Sequence, residues 1–301
     1  MSRFLEILHS GRVLLMDGAM GTELQRAGIG ENECYELWNL TRPDSVQTIH
    51  ERYVSAGAEC LLTNTFQANP RHLAKHGVEA SVEEINRTAI CLARSVAGND
   101  RFVIGDVGPI PFSRSDDLAL LDRVLSSLSD ADAILLETWS DRLAPLSAQR
   151  AKRRAINKRG IPVLLSIAYR RSSSAEASPF LPEPEAIGIL AQSCEVDALG
   201  INCGRDIGLE DVIGILRRYR KVTSLPLFAR PNAGTPTREQ NRWIYPQTPE
   251  KMASRLTELL ETGVCMVGGC CGTTPEHIAA FRPVVEDWNK KRMAFEYGTQ
   301  Y

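Results

Sequence analysis

Three of the eight cysteines combine a residue type and a spacing that suit metal chemistry. Cys270 and Cys271 are adjacent and lie between glycines, and Cys203 ends an earlier predicted strand. Adjacent cysteines are poorly placed for a disulfide, whereas the glycines would let the backbone bend until both sulfurs face one ion. Three thiolates with an open fourth position are typical of catalytic zinc. Spacing alone leaves a second interpretation open, in which these cysteines are small buried hydrophobes.

Acidic and amide side chains at other predicted strand ends could bind a polar substrate. Asp17 and Glu137 each end a strand, and two carboxylates near a zinc suggest recognition of an ammonium group. Either acid could instead cap a helix or pair with an arginine. Thr65, Gln67 and Asn232 lie in the loops after further strands and are predicted to hydrogen-bond the substrate. A polar turn is the alternative for the loop that holds Thr65 and Gln67.

The remaining metal-binding residue types are predicted to be structural. His72 and His76 are four residues apart, but they follow Asn69 and Pro70 on what the pattern predicts to be a solvated helix. A metal site is therefore not expected there. The other five cysteines, Cys34 among them, are interpreted as buried apolar side chains.

Eight short apolar segments must position these residues. They span 13–17, 60–64, 102–106, 133–137, 162–167, 197–203, 225–230 and 264–269. Helical patterns separate most of them, at 43–56, 82–97, 118–128, 183–193, 209–218, 248–261 and 275–287. Eight parallel strands alternating with helices predict a (β/α)8 TIM barrel, whose active site lies at the carboxyl ends of the strands. An open doubly wound sheet is the alternative, although neither glycine segment has the order of a dinucleotide site.

Composition limits the other classes of function. The net charge of −2 gives no electrostatic reason to expect a nucleic-acid or membrane partner. No apolar run approaches the ~20 residues of a membrane span, and the first nine residues resemble a helix more than a signal peptide. We therefore expect reduced thiols and a cytoplasmic protein with one barrel domain over residues 1–301, of which 291–301 form a C-terminal tail. The oligomeric state stays open.

Six motifs occur in order along the chain and together resemble the homocysteine S-methyltransferase family. They are Asp17-Gly-Ala-Met-Gly-Thr22, Thr63-Asn-Thr-Phe66, Leu135-Leu-Glu-Thr138, Gly200-Ile-Asn-Cys-Gly204, Pro231-Asn-Ala-Gly234 and Gly268-Gly-Cys-Cys-Gly-Thr273. The resemblance implies a zinc-dependent barrel that methylates homocysteine to methionine. It also implies that the cysteines at 203, 270 and 271 hold the zinc, and that Asp17 and Glu137 bind the homocysteine ammonium.

The sequence motifs constrain the methyl donor less than they constrain the fold, the metal or the acceptor. The family resembled here includes users of S-methylmethionine, users of betaine, and the first module of cobalamin-dependent methionine synthase. Gln67 and the short segment after the last helix argue against the betaine type, and a methylsulfonium donor, S-methylmethionine, is expected. A stand-alone subunit working with a cobalamin protein stays open. So does a zinc- or thiol-binding barrel without methyl transfer.

Overall fold

Eight parallel strands form the central sheet of the computed structural model, which describes residues 1–30, 32–110, 117–140, 160–172, 179–239 and 242–298. The barrel strands are β1 (Leu14–Leu15), β2 (Cys60–Leu62), β3 (Phe102–Val107), β4 (Ala133–Leu136), β5 (Val163–Ile167), β8 (Ala198–Asn202), β9 (Leu227–Arg230) and β12 (Val264–Val267). Two hairpins carry the other four, namely β6 (Arg170–Arg171) with β7 (Phe180–Leu181), and β10 (Thr237–Glu239) with β11 (Arg242–Ile244).

The strands follow one another around a closed ring. Neighbours pair in parallel from β2 through β3, β4, β5, β8, β9 and β12 to β1. Met16, just after β1, then forms a bridge with Cys60 of β2. The predicted (β/α)8 TIM barrel is confirmed, and each of the eight predicted strands overlaps an observed one.

Side chains on the two faces of the strands belong to separate apolar clusters. One cluster fills the barrel and includes Met16, Phe102 and Phe228. The other lies between the strands and the surrounding helices. The first helix, Arg3–Leu8, contributes Phe4 to the inner cluster, where its ring contacts the edge of Phe102 with centroids 5.1 Å apart. Since the strands are buried on both faces, their sequences are continuously apolar rather than alternating.

Each predicted helical segment overlaps one described helix or two, and further short helices accompany them. The described helices are Arg3–Leu8, Met20–Arg26, Trp38–Thr41, Pro43–Ala56, Pro70–Lys75, Val82–Ala97, Asp117–Ser127, Pro184–Ser193, Leu209–Arg220, Pro249–Ala253, Leu256–Leu260 and Pro275–Gly298, with a 3-10 turn at Tyr35–Leu37. The predicted helix 248–261 is divided in two at Arg255, where no glycine or proline marks a break.

The final helix is longer than the sequence pattern predicts. It continues past residue 287 to Gly298, so residues 291–298 of the predicted tail are helical. The Asn289 side chain accepts a hydrogen bond from the Val13 amide (2.8 Å) and donates one to the Val13 carbonyl (2.9 Å). An ion pair between Lys291 and Asp287 (2.6 Å) supports the exposed next turn. Residues 299–301 lie outside the described part.

Two further features concern the loops and the surface. After β5, the short strands β6 and β7 pair in antiparallel orientation, and residues 173–178 between them lie outside the described residues. Short hairpins of this kind have too few residues to show a strand periodicity, so the sequence pattern misses them. In the described part of the chain, no helix is both long and apolar enough to cross a membrane.

Candidate active site

The three predicted metal-binding cysteines meet at the carboxyl end of the barrel. Cys203 follows β8, and Cys270 and Cys271 follow β12 after two glycines. Their three sulfur atoms lie within 4.8 Å of one another, and the Sγ atoms of Cys203 and Cys271 are 3.7 Å apart. Cys203 has a φ of +48°, a conformation that is uncommon for a residue with a side chain and that accompanies functional sites.

Backbone hydrogen bonds from the loop after β9 hold the cysteine pair in place. The Cys270 amide donates to the Pro231 carbonyl (2.9 Å), and the Ala233 amide donates to the Cys271 carbonyl (3.0 Å). Thr273 closes the turn, since its hydroxyl donates to the Cys270 carbonyl (2.7 Å). These bonds turn adjacent sulfurs, which would point apart on a regular strand, toward a common point.

The pKa values of the three thiols differ because the thiols hydrogen-bond one another, and such a group can bind a cation. Hydrogen bonds from Cys270 and Cys271 lower the pKa of the Cys203 thiol to about 3, and the amide of Asn232 adds to this effect. The hydrogen bond with Cys203 is the main cause that raises the pKa of Cys270 to about 11, and hydrogen bonds with Cys203 and Cys270 raise the pKa of Cys271 further. One thiolate is thus stabilised by two thiols, and a bound cation would replace both protons. Because thiolates favour zinc over magnesium or calcium, the donor set fits Zn²⁺.

A buried group of charges lies beside the thiols. Arg230, at the end of β9, forms an ion pair with Glu137 and lies 3.6 Å from the Asp17 Oδ1 atom. Asp106, in β3, adds a third carboxyl group. Burial raises the pKa of Glu137, and the hydrogen bond with Asp106 lowers it by a smaller amount. Burial raises the pKa values of Asp17 and Glu137 to about 7 and that of Asp106 well above its usual range.

Two of these carboxyl groups have an oxygen without a partner. The Oδ1 atoms of Asp17 and Asp106 are buried and have no hydrogen-bond partner in the described structure. The other oxygen of Asp17 accepts from the Leu62 amide (2.8 Å). Three carboxyl groups thus lie around one guanidinium, and the Oδ1 atom of Asp106 can still accept a hydrogen bond from a cation.

A cavity of about 500 Å³ opens onto this group. All three cysteines line it, together with Glu137, Asp106 and Arg230, and with Thr65 and Gln67 among the predicted residues. Asp17 and Asn232 do not line the cavity, but each contacts a residue that does: Asp17 contacts Arg230, and Asn232 contacts Cys203. The hydroxyl of Thr65 is already used, since it donates to the Asp106 carbonyl (2.7 Å).

The sequence pattern assigned no role to Arg230 or Asp106, although both lie at predicted strand ends. Nor did it single out Asn202, whose amide donates to the Thr138 hydroxyl (2.8 Å) and to the sulfur of Cys270 (3.9 Å). Position at a strand end was the available signal for all of them. His72 and His76 also line the cavity, so the helix that carries them is not simply solvated.

Comparisons with known proteins agree on one family. The homocysteine S-methyltransferase family profile matches residues 14–285. The chain is 32% identical over 97% of its length to the methionine synthase of Mycobacterium tuberculosis, and 34% identical over 89% to that of Mycobacterium leprae. It spans about a quarter of the length of these relatives, 26% and 24% respectively.

Solved structures match over most of both chains. The metallated form of the homocysteine methyltransferase MmuM from Escherichia coli shares 26% identity and a TM-score of 0.72, and the match covers 92% of this chain and 98% of MmuM. The oxidized form of MmuM gives 27% identity and a TM-score of 0.70, over 90% of this chain and 96% of MmuM. A metallated relative of the same fold points to metal dependence.

Proposed function

Because the chain belongs to the homocysteine S-methyltransferase family, we propose that it transfers a methyl group to the thiol of homocysteine and so forms methionine. The observation that carries this proposal is the meeting of three thiols and a cluster of buried carboxyl groups on the wall of one cavity. The thiols suit a metal, and the carboxyl groups suit an amino acid's ammonium. A barrel that only bound metal would not need the second group.

Zinc is the proposed cofactor, held by Cys203, Cys270 and Cys271. A bound zinc would convert the substrate thiol to a thiolate at neutral pH, which a free thiol with a pKa near ~8.5 does only in part. The chain's own contribution is to fix the three sulfurs. Asn232 and Asn202 donate hydrogen bonds to Cys203 and Cys270, which orient these sulfurs. Since all eight cysteines are free thiols, we place the activity in the reducing cytoplasm.

The homocysteine ammonium is proposed to bind among Asp17, Asp106 and Glu137. Glu137 and Asp106 line the cavity, whereas Asp17 acts through its contact with Arg230, which also lines it. Because burial raises the pKa of all three carboxyl groups, a bound ammonium together with Arg230 would favour their charged forms. The unpartnered Oδ1 atom of Asp106, which lines the cavity, would then accept a hydrogen bond that the protein alone does not supply.

Thr65, Gln67 and Asn232 are proposed to shape the rest of the substrate site. Gln67 is the most exposed of the three and lines the cavity, so its side chain can reach a methyl donor. Thr65 acts by fixing Asp106, and Asn232 acts through its hydrogen bond to Cys203. A volume of about 500 Å³ is typical of sites for small molecules, which fits homocysteine together with a small donor.

The proposed donor is a methylsulfonium compound, most simply S-methylmethionine. When an anionic thiolate attacks a positively charged donor, charge is neutralised in the transition state, and a cavity that excludes water favours such a change. One observation favours a second candidate. The higher identities are to methionine synthases of which this chain matches about a quarter, so a separate methylated cobalamin protein could supply the methyl group.

A single competition assay separates the two candidates. Zinc-loaded protein is incubated with homocysteine and equal concentrations of S-methylmethionine, betaine and methyltetrahydrofolate, with and without a methylated cobalamin protein. Methionine formed mainly from S-methylmethionine supports the first candidate. Methionine formed only when the cobalamin protein is present would replace it with the second, and no methionine under any condition would overturn both.

The metal assignment has its own test in the Cys270→Ser variant. We expect it to lose the zinc held by the three cysteines and all methionine formation while it keeps the circular dichroism spectrum of the parent. Cys194→Ser is the matched control, because Cys194 is equally buried but lies on the helix layer away from the site. A Cys270→Ser protein with the parent's zinc content would show that the assignment is wrong.

A further inference from the structure

A second group of metal-binding side chains lies on the wall of the same cavity. The Glu36 carboxylate is buried, and its Oε1 atom accepts a hydrogen bond from the backbone amide of Gln67 (2.8 Å). Its other oxygen, Oε2, lies 3.5 Å from the sulfur of Cys34 and 3.8 Å from Nε2 of His72. These three residues are distinct from the cysteines at the ends of β8 and β12.

Glu36 differs from the two other buried glutamates of the described chain, Glu23 and Glu137, in what surrounds it. Glu23 is buried and forms ion pairs with Arg26 and Arg52. Glu137 is buried and forms an ion pair with Arg230. Among the described residues, Glu36 lies at ion-pair distance from the imidazole of His72 and from no lysine or arginine.

From this arrangement we propose that Cys34, Glu36 and His72 form a second zinc site. Bonds from zinc to sulfur of ~2.3 Å, and to nitrogen and oxygen of ~2.0–2.2 Å, set the edges of a tetrahedral site at about 3.4–3.6 Å. The observed separations of 3.5 and 3.8 Å from Oε2 are close to those edges. All three ligand atoms lie within 4.8 Å of one another.

The backbone elements around the site hold its ligands from two directions. Cys34 and Glu36 belong to the 3-10 turn at Tyr35–Leu37 and the residue that caps it. His72 belongs to the helix Pro70–Lys75, whose first turn is fixed by the Asn69 side chain accepting from the His72 amide (3.0 Å). The hydrogen bond from Gln67 to Glu36 ties the turn to the loop that precedes this helix.

The fourth position of this site faces the cavity. His72, His76 and Glu36 all line the cavity, and the ring of His76 lies 4.6 Å from that of His72, measured between centroids. With three protein ligands, the remaining position is open to water or to a carboxylate group of a small molecule in the cavity. None of the three ligands of the second site, Cys34, Glu36 and His72, is a ligand of the first site or a residue proposed to bind homocysteine, so the second site can be tested separately.

Zinc titration of metal-free protein tests this proposal. Chelator-stripped parent protein is titrated with zinc under reducing conditions, and bound metal is counted by elemental analysis after gel filtration. We expect two equivalents for the parent, one for His72→Ala and one for Cys270→Ser. Cys194→Ser, the matched control, should keep two. A parent that binds one equivalent, or a His72→Ala variant that keeps two, would overturn the second site.

Cobalt replacement gives a second readout that does not depend on activity. Cobalt-loaded Cys270→Ser protein should show a thiolate charge-transfer band from Cys34, and this band should vanish when Cys34→Ser is added. Because His72 is partly exposed, His72→Ala is the variant to use if Cys34→Ser fails to fold. Absence of any thiolate band from cobalt-loaded Cys270→Ser protein would contradict the proposal.

Discussion

The guanidinium of Arg230 decides the charge balance of the active site. It contacts Glu137 and lies near Asp17, so the two acids that the sequence predicts to bind an ammonium already share a cation. The sequence could place all three residues at strand ends but could not tell which side chains touch. That depends on strand register and on loop paths, which have no local sequence signal. The third acid, Asp106, also ends a predicted strand, but the sequence pattern assigns it no role for the same reason.

Burial of these acids predicts a particular dependence of stability on pH. The folded protein binds protons at Asp17 and Glu137 up to about pH 7, whereas the unfolded chain releases them near 3.8 and 4.5. Stability from these groups is therefore present at low pH and is lost as the pH rises to about 7. In substrate-free protein, the free energy of unfolding should therefore fall between pH 5 and 7. Glu137→Gln should make this fall shallower by up to about 1.4 kcal/mol per pH unit, and urea unfolding at several pH values measures it.

Glu83→Gln is the control for this pH series. Glu83 is paired with Arg123 on the surface, and its pKa is lowered, so it does not titrate in this window. Its pH profile between 5 and 7 should therefore parallel that of the parent. A Glu137→Gln profile that also parallels the parent would contradict the raised pKa of Glu137.

Strand ends are the elements that carry the chemistry, and glycine shapes the most crowded of them. A Cβ atom on Gly268 would lie 2.6 Å from the Asp17 carbonyl oxygen and 2.7 Å from the Met16 Cβ. Without side chains there, β12 can pass close to β1 before the cysteine pair begins. The sequence predicted the strands well because apolar runs between helices are distinctive. The hairpins after β5 and β9 have no such pattern, and contacts with the barrel determine them.

Replacing Gly268 should therefore damage the metal site through the backbone. We expect Gly268→Ala to cost about 1–3 kcal/mol of stability and to weaken zinc binding, because backbone atoms cannot yield to the added methyl group. Gly214→Ala is the control. Gly214 lies in the helix Leu209–Arg220 with nothing within 4 Å of its Cβ position, so this change should stabilise by roughly 0.5–1 kcal/mol. Equal stabilities of the two variants would rule out the steric argument.

At the scale of the whole molecule, the core and the site of Cys203, Cys270 and Cys271 are separate, whereas Cys34 belongs to the core beneath the helices. The barrel is filled by apolar side chains and covered by a continuous apolar layer beneath the helices. The metal-binding cysteines lie beyond the ends of the strands. The barrel was predictable from eight apolar segments, since that number closes a parallel ring. The turn that carries Cys34 and Glu36 was not, because its position depends on packing against the loop after β2.

Removing metal should consequently leave the barrel folded. We expect chelator-treated protein to keep its circular dichroism spectrum and its cooperative unfolding, with a lower Tm. The difference follows from linkage, which gives about 2.7 kcal/mol when free zinc is 100 times its Kd. Differential scanning calorimetry with and without chelator measures this shift. Loss of the unfolding transition on chelation would show that the metal is part of the fold, as in zinc-finger proteins.

The closure between β1 and β2 has a consequence for local opening of the protein. The Met16–Cys60 bridge joins this seam. Its two backbone hydrogen bonds run from the Asp17 amide to the Cys60 carbonyl (2.9 Å) and from the Glu59 amide to the Leu15 carbonyl (2.7 Å). By contrast, β8 and β9 pair over four positions. Amide protons of Asp17 and Glu59 should exchange with deuterated solvent sooner than those of β8 and β9. Separation of β1 from β2 would break the hydrogen bond between the Leu62 amide and the Asp17 carboxylate. The rate of amide exchange at this seam therefore measures how often Asp17 loses its position in the active site.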